Sequence, residues 1–275
     1  MTAPAVERVA PPGEPLADAA SRRRSPLGRA LRTWLPPVVF LVALLEGWEL
    51  WVGLRHEASY VLPTPVGIAK ALYDSRHVLG GHVATTLEET LIGLVVGTVA
   101  GVALAVAISA VPFVRRAVWP LVVTSQTIPM LVLAPLLALG FGFGMAPKVV
   151  VVSLIVFFPV AVATMVGVRS VDPRLLEMSR SFRANAWQLI TRVEVPAALP
   201  AILGGMRVGV TLAVIGAIVG EWAGADQGLG VLINEARGSL FDIPLMFAAL
   251  LQLAIIGVTL YLVMLLIERR LVGER

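Results

Sequence analysis

The residues that carry covalent or metal chemistry are few in this sequence, and their spacing does not suit them to it. There is no cysteine, which removes disulfides, thiolate metal sites and cysteine nucleophiles together. The lysines are Lys70 in GIAKAL and Lys148 in MAPKVV. Neither directly follows a glycine or precedes a Ser or Thr, so neither belongs to a phosphate loop. His56, His77 and His82 share one stretch, but no pair has i, i+4 spacing and no carboxylate-rich cluster accompanies them. No metal site is expected there. No G-x-S-x-G elbow and no H-E-x-x-H pair occurs. The acidic residues are scattered rather than paired for acid/base work. The sequence therefore gives no support to an enzyme, and no cofactor is expected.

One polar stretch stands apart. LEMSRSFRANAWQLITRVEVPAALP, from Leu176 to Pro200, carries Glu177, Arg180, Arg183, Arg192 and Glu194 between two apolar runs. A charged island of that length has to sit in water or against another protein. Asp172-Pro173 ahead of it is a helix-start signal, an N-cap candidate followed by proline at the first position. Leu175, Met178, Ser179, Phe182 and Ala186 then share one helical face. A second short amphipathic segment, with Trp187, Ile190 and Val193, precedes Pro196. Two short helices at the membrane surface are expected, either resting on lipid headgroups or docking a soluble partner.

The elements that would position this stretch are read from hydropathy. The chain has 275 residues, 57% hydrophobic and 15% charged, with a mean hydropathy of +0.86. A soluble domain carries roughly 25% charged residues. A helix needs about 20 mostly apolar residues to cross a ~30 Å hydrocarbon core, and six stretches qualify: about 34–54, 85–110, 117–140, 147–168, 202–222 and 245–267. The expected fold is all-α, with about six transmembrane helices. The run 117–140 is interrupted by Gln126, Pro129 and Pro135, and backbone freed by proline must be satisfied by neighbouring helices or water. Gln126, Ile128, Pro129 and Met130 are therefore the candidate translocation path, against the alternative of a simple packed kink.

With both termini in the cytoplasm, 17 of the 22 basic residues fall on the cytoplasmic side and 5, including Lys148, outside. That is the positive-inside bias. It accounts for the net charge of +4 and the pI near 10.1 without nucleic acid as a partner. The first 25 or so residues, rich in Pro, Ala and charge, lack the apolar core of a signal peptide and read as a disordered tail. The domain division expected is a tail at 1–30 and a membrane domain at 31–275, with its core at about 80–270 and the charged loop at 169–200. PVGIAKALYD reads as a short helix with Pro65 near its start.

Gly93, Gly97 and Gly101 make a small-xxx-small stripe for close helix packing, within the chain or with a second copy. Glu46 and Glu49 share a face, either as intramembrane acids or, beside Trp48 and Trp51, as interfacial ones. Glu88 and Glu89 are expected in the first turn of the second span, suiting the helix dipole. Glu221 lies at the outer end of the fifth. No acids deep in several spans are expected, which argues against an ion-driven secondary transporter. A non-transporting scaffold, the other alternative, would need no broken helix.

The charged stretch resembles the signature of permease subunits of bacterial binding-protein-dependent ABC importers, E-A-A, three residues, Gly, nine residues, I-x-L-P. Here Glu177-Met178-Ser179 is followed by three residues, Arg183, nine more, and Val193-Glu194-Val195-Pro196. LPTP, TIPMLVLAPLLALGFGFG, VVSLIVFFPVAVATMVGVRSVDP and VGEWAGADQGLGVLI extend the likeness to about residues 60–270, in the nitrate/sulfonate/taurine branch. DQGLGVLI followed by FDIPLMFAAL looks most like permeases for thiamine pyrimidine precursors or riboflavin. The resemblance implies a type I importer permease fold in the bacterial inner membrane. It also implies a homodimer, two ATP-binding subunits and a periplasmic or lipid-anchored solute-binding protein. By the same resemblance Glu177, Met178, Ser179, Arg183, Val193, Val195 and Pro196 belong to the coupling loop that docks the ATPase. Arg183 stands where the family has glycine, so the turn is expected either to move, to Asn185, or to dock with altered geometry.

Overall fold

The computed structural model describes residues 26–54 and 61–273, with side chains from Leu35 onward except Pro112. Of the tail expected at 1–30, residues 1–25 lie outside the described residues, as does His56, and residues 26–30 prove to be the start of a helix. The chain divides into two compact units, Met1–His56 and Glu57–Arg275. In the first, α1 (Pro26–Leu54) is an apolar helix, and its Leu35–Leu54 stretch is long and apolar enough to cross a membrane.

In the second unit every regular element among the described residues is a helix. It begins with α2 (Pro65–Asp74), where Thr64 Oγ1 accepts from the Gly67 N–H at 3.0 Å and Pro65 takes the first turn. The missing proline N–H costs nothing there, because the first-turn donors have no helical partner. Next come α3 (Arg76–Ser109), α4 (Pro112–Ser125), α5 (Met130–Phe141), α6 (Met145–Arg169) and α7 (Pro173–Ser181). A short α8 (Ala186–Leu189) passes through a π-helical turn, Ile190–Glu194, into α9 (Val195–Trp222). Finally α10 (Leu229–Gly238) leads to α11 (Ile243–Val272).

Helix α6 is the centre of this unit, packed most extensively against α9 and α3. Val152, Val156 and Val160 on α6 and Ala213 and Ala217 on α9 are fully buried together. Small residues on the flanking helices make the approach possible. A Cβ at Gly101 of α3 would lie 2.8 Å from the Phe157 carbonyl oxygen, and one at Gly97 would collide with that of Ser153. Lipid offers no hydrophobic drive between helices, so such close van der Waals contact is what holds them. Gly93, Gly97 and Gly101 thus face α6 of the same chain. Large apolar side chains such as Val95, Val99, Leu136, Leu139, Leu262 and Leu266 point outward, as they do in a protein solvated by hydrocarbon.

One expectation is met and a second needs correction. The run 117–140 is interrupted where expected, and the break divides it into a pair of helices, α4 and α5, bent by 98°. Residues 126–128 bond back three positions, Thr127 N–H to Thr124 O at 3.0 Å and Ile128 N–H to Ser125 O at 3.2 Å. Pro129, with no N–H to continue the ladder, then starts α5 in a new direction. Second, α3 begins at Arg76 rather than near residue 85, so the loop before the expected span is mostly helix.

Candidate functional site

The charged stretch is built from its caps. Asp172 Oδ1 accepts from the Arg174 N–H at 2.8 Å and Pro173 opens α7. Two serines bond back onto the helix, Ser179 Oγ to Leu175 O and Ser181 Oγ to Glu177 O. None of the nine residues of α7 is buried. Leu175, Met178 and Phe182 are exposed at 40, 53 and 80%, so the apolar stripe read from the sequence faces away from the rest of the chain. Exposed hydrophobic side chains gathered on one face mark a binding surface. Glu177 and Arg183 are exposed and Ser179 half-buried.

The end of α7 answers the question raised by Arg183. Its φ is +60°. The Ala184 N–H donates to Ser179 O at 3.2 Å and the Arg183 N–H to Arg180 O at 2.9 Å, the paired bonds of a Schellman cap with its left-handed residue at Arg183. The turn therefore stays where the family places glycine, and a side chain occupies a backbone region costing about 1 kcal/mol. It does not move to Asn185, whose φ is −77° and which caps the next helix instead. The Gln188 N–H donates to Asn185 Oδ1 at 2.8 Å and the Asn185 N–H to Gln188 Oε1 at 3.0 Å, a capping box.

Beyond this cap the second expected short helix proves to be the start of a continuous 37-residue helix, Ala186–Trp222. Pro196 does not end it. In the π-turn the Val195 N–H reaches back to Ile190 O. A turn one residue wider relieves the clash that a proline ring makes with the carbonyl four residues before it. Val193 and Val195 are half-buried and Pro196 is exposed in this stretch. At the α4–α5 break, Gln126, Ile128 and Pro129 are exposed and Met130 is half-buried. The structure does not bring these four residues together with the charged stretch.

At the opposite end of α6 lies a buried cluster that sequence reasoning missed. Glu89 was expected in a first turn and Lys148 outside the membrane. In fact Glu89 is well inside α3 and fully buried, and Lys148, in the first turn of α6, is 6% exposed. They form an ion pair. Glu221 of α9, 2% exposed, accepts from Thr86 Oγ1 at 2.6 Å and from the Gly230 N–H at the start of α10. The Leu229 N–H donates to Thr86 Oγ1 at 2.8 Å, and the Gly228 N–H to His82 Nδ1 at 3.1 Å. Glu89 Oε2 has no hydrogen-bond partner among the described residues. The carboxylate of Glu221 thus holds the N-terminus of α10, where helix N–H groups favour negative charge.

The arrangement also fixes Gly228, with φ +138°, because a Cβ there would fall on the Glu221 carboxylate. A signal for the cluster existed: the stripe of Gly93, Gly97 and Gly101 continues toward the N-terminus into Thr90, Glu89 and Thr86. Acids are therefore buried in two of the long helices, against expectation. Among the described residues no group of three His, Cys, Asp or Glu could hold a metal ion.

The described helices include five long and apolar enough to cross a membrane, six if the bent α4–α5 pair is one span. They define a multi-pass membrane protein, one end of which presents an exposed amphipathic helix. Residues 93–273 match the sequence profile of the binding-protein-dependent transport system inner membrane component, and the chain belongs to that family. The riboflavin transport system permease protein RibX of Chloroflexus aurantiacus is 40% identical over 256 residues, 91% of this chain and 95% of that protein. The formylaminopyrimidine transport permease protein ThiX of Halalkalibacterium halodurans is 38% identical over 225 residues, 82% and 89% of the two chains. Among solved structures, the MetNI methionine ABC transporter in an inward-facing conformation shares the fold. Its TM-score is 0.58 at 23% identity, covering 71% of this chain and 94% of that one. The chain is the transmembrane permease subunit of an ABC importer, with ATP hydrolysed on a separate subunit.

Proposed function

We propose that this permease moves a small heterocyclic solute, of the riboflavin or formylaminopyrimidine class, across the cytoplasmic membrane. It works as one half of a homodimer with two ATP-binding subunits. The observation that carries the docking part is α7: nine residues, none buried, with Leu175, Met178 and Phe182 turned outward. Glu177, Met178, Ser179 and Arg183 form the contact, and Val193, Val195 and Pro196 join it to α9. A solute-binding protein delivers substrate at the opposite end, near α2 and α10. The path runs past the α4–α5 break at Gln126, Ile128, Pro129 and Met130. Both termini are cytoplasmic, the tail ends ahead of Pro26, and the permease domain begins with α1. The named relatives and the likeness of DQGLGVLI support the substrate class.

The test is substrate-stimulated ATP hydrolysis by the reconstituted importer. Met178→Asp places a charge in the apolar contact and is expected to abolish both ATPase recovery and stimulation, while the permease keeps its thermal stability. Undiminished stimulation would remove α7 from the docking role. Uptake of labelled riboflavin, competed by formylaminopyrimidine, tests the substrate class; transport of neither overturns it.

A further inference from the structure

At the α7 end, α4 brings Arg115 and Arg116 in from its first turns and α6 closes on Arg169. Arg115, Arg116 and Arg169 line a cavity of about 340 Å³, and an adjoining cavity of about 350 Å³ shares its Trp119, Met165 and Arg169. The floor is apolar, with Met165 2% exposed, and beside it the apolar side chain of Val166 is 61% exposed. Among the described residues the ion pairs within 4 Å are Lys148–Glu89 and Arg207–Glu268, so none of the three arginines has a carboxylate partner. Glu194 is within electrostatic reach of Arg115 and Arg180 without pairing to either. Cations spread evenly over a membrane boundary would satisfy topology alone. These instead converge from two helices on one cavity with a hydrophobic wall.

A soluble anion would use only the rim. A phospholipid would use the rim for its phosphate and the wall for the start of an acyl chain, and basic pockets between membrane helices suit anionic headgroups. Guanidinium also matches phosphate geometry with two parallel donors. We propose that Arg115, Arg116 and Arg169 bind the headgroup of an anionic phospholipid, whose first acyl segment lies against Trp119 and Val166.

The experiment is native mass spectrometry of the purified importer, titrated with phosphatidylglycerol in a phosphatidylcholine background. The wild type is expected to retain phosphatidylglycerol in preference to phosphatidylcholine. Retention should weaken about fivefold for each arginine lost in Arg115→Gln, Arg116→Gln and Arg169→Gln, and should not change in Arg237→Gln on α10. If the triple variant does not assemble, Arg116→Gln alone, an exposed position, carries the same comparison. Equal retention by variant and wild type overturns the proposal. So does an equal loss in Arg237→Gln, which would mean unspecific charge. Displacement by inorganic phosphate as readily as by phosphatidylglycerol also overturns it, in favour of a soluble-anion site.

Discussion

Two residues carry most of what is unusual here. Arg183 holds a left-handed cap that glycine would hold without strain. Arg183→Gly is expected to strengthen the cap by about 1 kcal/mol, which hydrogen exchange would register as about fivefold slower exchange at Ala184. Substrate-stimulated ATP hydrolysis should shift with it if the turn transmits force; unchanged hydrolysis would place Arg183 outside the transmission path. Lys148 is the other. Removing it as Lys148→Met leaves the Glu89 carboxylate buried and unpaired, costing about 3–5 kcal/mol, readable as a lower melting temperature in detergent. The double variant Glu89→Gln/Lys148→Met should recover most of that loss. The Arg183 anomaly was legible because a fixed spacing placed a side chain where a turn must form. The Lys148 partnership was not, since 59 residues separate the pair and only the relative register of α3 and α6 brings them together.

At the scale of elements, the glycine stripe on α3 makes the sharpest demand. Gly97→Leu would drive a side chain into the Ser153 carbonyl and Val156, and overpacking of that kind costs about 1–3 kcal/mol. Gly204→Leu on α9 has open space around it and should be neutral, so the yield of folded permease from the two variants separates packing from mere bulk. Helix positions were well signalled, because long apolar runs and capped starts such as Thr64-Pro65 and Asp172-Pro173 leave few alternatives. Their ends were signalled less well. The helix of α3 starts at Arg76 because the polar residues before the apolar run continue the same backbone ladder at no cost. At 126–129 the prolines announced an interruption, but an angle of 98° depends on what α4 and α5 pack against, which no local rule supplies. Pro196 read as a stop and is instead absorbed by a π-turn, a feature with no composition of its own.

For the molecule as a whole, topology is the first thing to fix. The chain has no cysteine, so single cysteines can be introduced without further changes. Asn185→Cys, exposed beside α7, is expected to react with a membrane-impermeant maleimide only from the cytoplasmic face, and Leu240→Cys, exposed beyond α10, only from the other. Labelling of both from one side would refute the orientation. The bias in Lys and Arg argues for this orientation, and the family likeness made the architecture legible, but neither pointed to charges inside the bundle. That pair bears on biosynthesis. Glu89 is made 59 residues before Lys148, so α3 is synthesised with this carboxyl unpaired, and the pair closes only once the first turn of α6 has been made.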